Sequence, residues 1–271
     1  MWQLPGLTRS NPVAFRSNFE SLLGRLEESG IVLVAFELGN EINWAGFNAD
    51  FPLPGKGKVL GSEELLVDPE GRQIAKGFLQ YLKSLGALRE VRDRSKLNRD
   101  TPIISAGLAD LSGTNWTTTT KADAVSVDAT LNFLRANGLD ILVDGYGLHS
   151  YPSVRNPGSV ADAAMRLAHM ESNGLKQCRP GASPDGKPCW FTEWGFNNVG
   201  DACPVDDAGR VSLVREMRDR FSRLAIQGRL GGLFFYTWQG NVHAQREDRA
   251  SAYRCGALTQ SGRLAIAPMS R

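Results

Sequence analysis

The sequence predicts an α/β protein built on a parallel sheet, and three observations carry that expectation. Short apolar runs alternate with amphipathic helical stretches along the chain. Several runs are continuous rather than alternating, as strands covered on both faces are. Ionisable and aromatic residues stand just past the ends of these runs, where α/β folds keep their chemistry.

The elements follow in order. Asn11-Pro12 pairs an N-cap with a first-turn proline. Phe15, Phe19, Leu22, Leu23 and Leu26 then recur at helical spacing until Gly30 stops them. Ile31 to Leu38 is an apolar run broken only by Glu37, which reads as a strand buried on both faces. A helix near Gly71 to Arg94, a strand at Pro102 to Leu108, a helix at Val125 to Asn137 and a strand at Ile141 to Leu148 come next. A helix at Val160 to Glu171, a strand at Cys189 to Thr192, a helix at Ala208 to Gln227 and a strand at Leu230 to Thr237 complete the series. Strands alternating with helices imply right-handed crossovers. A closed barrel needs eight strands; with five here, either the first three are missing from this chain or the sheet is open. No internal repeat and no linker divides the chain, so 1–271 is expected to be a single domain.

Composition excludes several functions. Lys and Arg total 31 against 29 Asp and Glu, a formal charge of +2, so no broad field recruits nucleic acid or an anionic membrane. The basic stretch Arg89 to Arg99 also carries acids and reads as a solvated helix face with its following loop. No apolar run reaches the roughly 18 residues of a membrane span, and Met-Trp-Gln-Leu-Pro-Gly lacks the basic start and apolar stretch of a secretory signal. Cys178 and Cys189 bracket a loop rich in Gly and Pro, while Cys203 and Cys255 each follow a strand. The favoured pairing is 178 with 189 and 203 with 255, which would place the protein in an oxidising compartment, secreted or periplasmic. No two cysteines have zinc-knuckle spacing.

Two glutamates, Glu41 in Phe36-Glu37-Leu38-Gly39-Asn40-Glu41 and Glu193 in Trp190-Phe191-Thr192-Glu193-Trp194-Gly195, each end an apolar run. Glycoside hydrolysis needs such a pair: one carboxyl protonated to assist the leaving oxygen, one ionised to attack the anomeric carbon or activate water. Asn40 offers an amide beside Glu41. His149 and Tyr151, in Gly147-Leu148-His149-Ser150-Tyr151-Pro152, offer a ring N–H and a phenol O–H to a neighbouring carboxylate. Trp238, in Phe235-Tyr236-Thr237-Trp238-Gln239-Gly240, presents a flat apolar face of the kind pyranose rings stack upon. Trp44, Trp116 and Trp194 lie in or beside the loops after strands, where flooring a sugar and packing the loop explain each equally. Glu37, on the strand face shared with Glu41, reads as a buried structural ion pair rather than a third carboxylate. His169 and His243 read as surface or structural residues.

These phrases resemble the glycoside hydrolases of clan A, retaining enzymes on the (β/α)8 TIM barrel. The Asn40-Glu41 pair is similar to their strand-four acid/base motif, Thr192-Glu193-Trp194-Gly195 to their strand-seven nucleophile, His149-Ser150-Tyr151 to strand six and Tyr236-Thr237-Trp238 to strand eight. The phrases look most like the cellulase-like family five and the xylosidase/iduronidase-like family thirty-nine. The resemblance implies a partial barrel holding strands four to eight and a retaining O-glycoside hydrolase acting on a β-linked oligosaccharide or polysaccharide. It further implies Glu41 as general acid/base, Glu193 as nucleophile, Asn40 on the sugar 2-hydroxyl, Tyr151 on Glu193, and His149 and Trp238 lining the pocket. No metal or organic cofactor is implied. The chain departs from the clan in offering no arginine from strands one to three. A catalytically inactive sugar-binding remnant of such a barrel is the alternative. An acyl hydrolase built on Ser150 and His149 is disfavoured, because adjacent strand residues face opposite sides.

Overall fold

A computed structural model describes residues 5–111, 116–151, 160–181, 185–195, 207–239 and 251–268. Within them the protein is mixed α/β with parallel strand pairs. The chain divides into two units, Met1–Gly147 and Leu148–Arg271.

In the first unit, helix α1 (Pro12–Glu28) begins where Asn11 Oδ1 accepts from the N–H groups of Val13 and Ala14, and the chain reverses at Gly30 with φ 72°. Of the apolar stripe read from sequence, Leu23 alone is fully buried; Phe15 and Phe19 stack on each other, and Phe19 meets Phe36 edge-on. The strand expected over Ile31 to Leu38 is shorter: β1 is Phe36–Glu37, and Ile31, Val32 and Val34 are exposed. Two residues of pairing with one neighbour cannot cover both faces of eight, so continuity of the apolar run overstated its burial. Glu37 is likewise exposed rather than buried. Strand β2 (Val59–Leu60) leads to α2 (Glu64–Val67) and the long α3 (Pro69–Asp93). Asp68 caps α3, and Ile74, Phe78, Tyr81, Leu85 and Leu88 form its buried stripe at helical spacing.

The strand expected over Pro102 to Leu108 is split into β3 (Ile103–Ile104) and β4 (Leu108–Ala109). At the break the Ala106 N–H donates to the buried Tyr81 hydroxyl instead of a strand partner. Strand β1 pairs in parallel with β3. After α4 (Trp116–Thr120), β5 (Ala124–Val125) pairs in parallel with β2, and Ser126 caps α5 (Val127–Ala136). The next strand starts later than Ile141, because Leu139–Ile141 closes a 3-10 turn behind Gly138 at φ 98°. Strand β6 is Tyr146–Ser150. A Cβ on Gly147 would come within 2.3 Å of Ser105 O, so only glycine allows that close approach. The segment read as solvated is anchored at two points: Arg92 is buried, donating to Thr101 O and ion-paired with Asp93 and Asp144, and Asn98 is buried, accepting from the Leu33 N–H and donating to Ile31 O.

In the second unit, α6 (Val160–Ser172) precedes β7 (Cys189–Trp194), α7 (Ala208–Ile226) and β8 (Leu230–Phe235). Strands β7 and β8 are parallel, and Trp190 lies over Gly231 and Gly232, where a Cβ would strike its ring. An aromatic core locks the pair to α7: Phe191 on Phe221 at 4.5 Å, with Trp194 edge-on to Phe221 and Phe235. Each fully buried aromatic of this kind contributes about 2 kcal/mol through burial. Arg210 on α7 is buried over the Phe235 ring, and desolvation pushes its guanidinium down to about 10 against the pull of Asp207. A hairpin of β9 (Tyr253–Arg254) and β10 (Ala257–Leu258) leads to α8 (Gln260–Ile266), capped by Thr259. Cys178 and Cys189 form a disulfide, as expected; the second expected pairing involves Cys203, which lies outside the described residues, as does His243. Among the described residues, no helix is long and apolar enough to cross a membrane.

Candidate active site

Two carboxylate centres are built on strand ends, one in each unit. In the first, the chain leaves β1 through Gly39 at φ 89° and Glu41 at φ 45°. Between them Asn40 bridges Gly107, and the Glu41 N–H donates to Gly107 O at 2.8 Å. A non-glycine residue in the left-handed region costs about 1–2 kcal/mol, so the surroundings must impose it. Asn43 supplies much of that constraint. Fully buried, it donates from Nδ2 to Ala109 O and Val125 O, both at 2.9 Å, and accepts from the Ala109 N–H at 3.0 Å. Asn48 Nδ2 holds Ile42 O from the other side at 2.9 Å. Two asparagine side chains thus add to the few backbone bonds that tie this loop to Gly107 and Ala124.

The Glu41 side chain is buried, and the Trp44 indole Nε1–H donates to its Oε2 at 2.7 Å. Trp44 is itself 7% exposed, with its ring edge-on to Phe47. It grips the carboxylate rather than presenting an open face. Asn40 is half-buried, and its amide has no hydrogen-bond partner among the described residues.

The second centre depends on an irregularity in β7. Phe191 pairs with Leu233 and Trp194 with Phe235, so three steps on β7 match two on β8. That is a β-bulge. Without it, period-two alternation from the buried Cys189 and Phe191 would send residue 193 into the core. With it, Trp194 takes the core position and Glu193 is turned out, its side chain 29% exposed. The Tyr151 hydroxyl donates to Glu193 Oε2 at 2.6 Å, and His149 Nδ1 lies 3.5 Å from the same oxygen. His149 is buried on β6, while the Tyr151 ring stands edge-on to Tyr236 at 6.3 Å.

Trp238 follows β8 with its ring stacked on Tyr253 at 6.0 Å and 55% of its surface exposed, an aromatic platform. Trp194 is fully buried among Phe221 and Phe235, away from any open face; the Trp116 side chain lies outside the described residues. The sequence reading did not single out Asn43. One asparagine in a loop has no periodicity, so no signal marked it.

No family model and no curated protein matches the chain. Solved structures do. One of them is a family 39 glycoside hydrolase from the gut symbiont Bacteroides cellulosilyticus WH2, with TM-score 0.46 and 16% identity. The match covers 93% of this chain and 44% of that one, so this chain spans less than half the length of the structure it resembles.

Proposed function

We propose that the chain is the strand-four-to-eight portion of a (β/α)8 barrel and acts as a retaining O-glycoside hydrolase on a β-linked saccharide. Glu193 is the nucleophile and Glu41 the general acid/base. The observation that carries this reading is the Glu193 centre: a carboxylate turned out of the core by a bulge and held by the Tyr151 hydroxyl at 2.6 Å. A donor on one oxygen orients the carboxylate and leaves the other to attack.

In the first step the Glu193 carboxylate forms a bond to the anomeric carbon as the glycosidic C–O bond breaks, and its electron pair passes to the leaving oxygen. Glu41 protonates that oxygen. In the second step Glu41 takes a proton from water, whose oxygen displaces Glu193. Asn40, with its amide uncommitted, is assigned to the sugar 2-hydroxyl, and the exposed Trp238 ring to the apolar face of a sugar. The Cys178–Cys189 bridge supports work in an oxidising compartment.

The test is a panel of nitrophenyl β-glycosides with two variants. Glu193→Ala should abolish turnover. Glu41→Ala should spare dinitrophenyl substrates in the first step and regain rate with azide. A Glu193→Ala variant as active as the parent would refute the assignment.

A further inference from the structure

Trp44 is in direct contact with the Glu41 carboxylate. Its indole is clamped from several sides. The Trp44 N–H donates to Glu41 O at 3.3 Å, its backbone bridges Ala124, and its ring meets Phe47. Gly46 leaves room for that ring, since a Cβ there would fall 2.3 Å from two of its atoms. The Nε1–H therefore cannot swing away from Glu41 Oε2, 2.7 Å distant, without unpacking the loop.

An indole nitrogen donates and never accepts. Oε2 consequently faces a donor whether Glu41 is ionised or neutral. In a neutral carboxyl the carbonyl oxygen is the better acceptor, so the arrangement with C=O at Oε2 and O–H at Oε1 is favoured. We propose that Trp44 is a positioning residue that fixes the acidic proton of Glu41 on Oε1. The Oε1–H bond then breaks as the leaving oxygen gains the proton, and Oε1 recovers a proton from water in the second step. This rests on Glu41 being the acid/base, and it gives Trp44 a role other than flooring a sugar.

The experiment compares Trp44→Phe, which keeps an aromatic ring and loses the N–H, with the parent on aryl β-glycosides of graded leaving-group basicity. The readout is kcat/KM, which reports the first step. The expected loss is roughly 10- to 100-fold with phenol as leaving group, where protonation is needed. With dinitrophenol, which departs unassisted, the loss should be under about three-fold. Equal losses on both leaving groups, or none on either, overturn the proposal. Should Trp44→Phe fail to fold, the indole proton of Trp44 in a ¹H–¹⁵N spectrum reads the contact directly: it should move upfield in Glu41→Gln, where a neutral acceptor replaces a charged one, and an unmoved signal overturns the proposal. The underlying reading fails separately. A parent chain inert on every aryl glycoside removes the glycosidase itself and a fully active Glu193→Ala removes Glu193 as its nucleophile, whereas an inactive Glu193→Ala beside a leaving-group-blind Trp44→Phe removes only the role of Trp44.

Discussion

Replacing Tyr151 with phenylalanine isolates one hydrogen bond at the proposed nucleophile. The phenol meets Glu193 Oε2 at 2.6 Å, within the short range of charge-assisted bonds. Such a bond contributes about 1.5–3 kcal/mol, against about 1 kcal/mol for a neutral one. In a covalent glycosyl-enzyme Glu193 is a neutral ester, and it regains charge as water displaces it. The difference, about 0.5–2 kcal/mol, is therefore felt in the second step, a slowing of about 2- to 30-fold. His149 cannot compensate from 3.5 Å. The variant keeps its ring against Tyr236, so its melting temperature should hold. Rapid mixing with a dinitrophenyl glycoside should give a burst of phenolate followed by a slowed steady state, and intact-mass spectrometry should find the sugar adduct accumulated on the protein. A steady-state rate within about two-fold of the parent with no adduct would refute the reasoning, as would a rate loss matched by a collapse in melting temperature.

Three further outcomes test the scaffold. Asn43→Ala removes three buried side-chain hydrogen bonds and strands their backbone partners, which should cost about 3–5 kcal/mol in a denaturant titration. Glu27 accepts from the Ser95 hydroxyl and the N–H groups of Leu97, Lys96 and Asn98, which hold its pKa down to about 2 from 4.5. Its contribution to stability is then complete above the unfolded value and lost as pH falls through the folded one, so Glu27→Gln should melt below the parent at pH 6 and converge with it near about pH 2. Replacing both Cys178 and Cys189 with serine should lower unfolding stability by about 3 kcal/mol through loss of loop closure, measured by chemical denaturation against the oxidised parent.

Helices were the legible part of the sequence, because their signals are local. Asn11-Pro12 and the Phe15 to Leu26 spacing located α1 to within a residue or two, and Ala208 to Gln227 is α7 with one residue trimmed. Strands were less so. An apolar run such as Ile31 to Leu38 records only that a segment tolerates burial; how many neighbours it acquires is decided elsewhere in the chain, and here it pairs over two residues. The late start of β6 depends on Gly138, whose left-handed conformation is invisible in composition. Around the carboxylates, the residue types were readable while their tasks were not. Trp44 and Trp194 look alike in sequence, yet one grips Glu41 and the other fills an aromatic core, because a bulge reset the alternation after Phe191.

The backbone at position 41 prefers the side chains that this position does not carry. At φ 45° glycine or asparagine would sit more comfortably than glutamate, so random drift in a lineage released from selection on turnover should replace Glu41 early and with a gain in folding stability. Counting which residue descendants of this chain keep there, against how often exposed positions such as Val34 change, would measure whether turnover is still under selection.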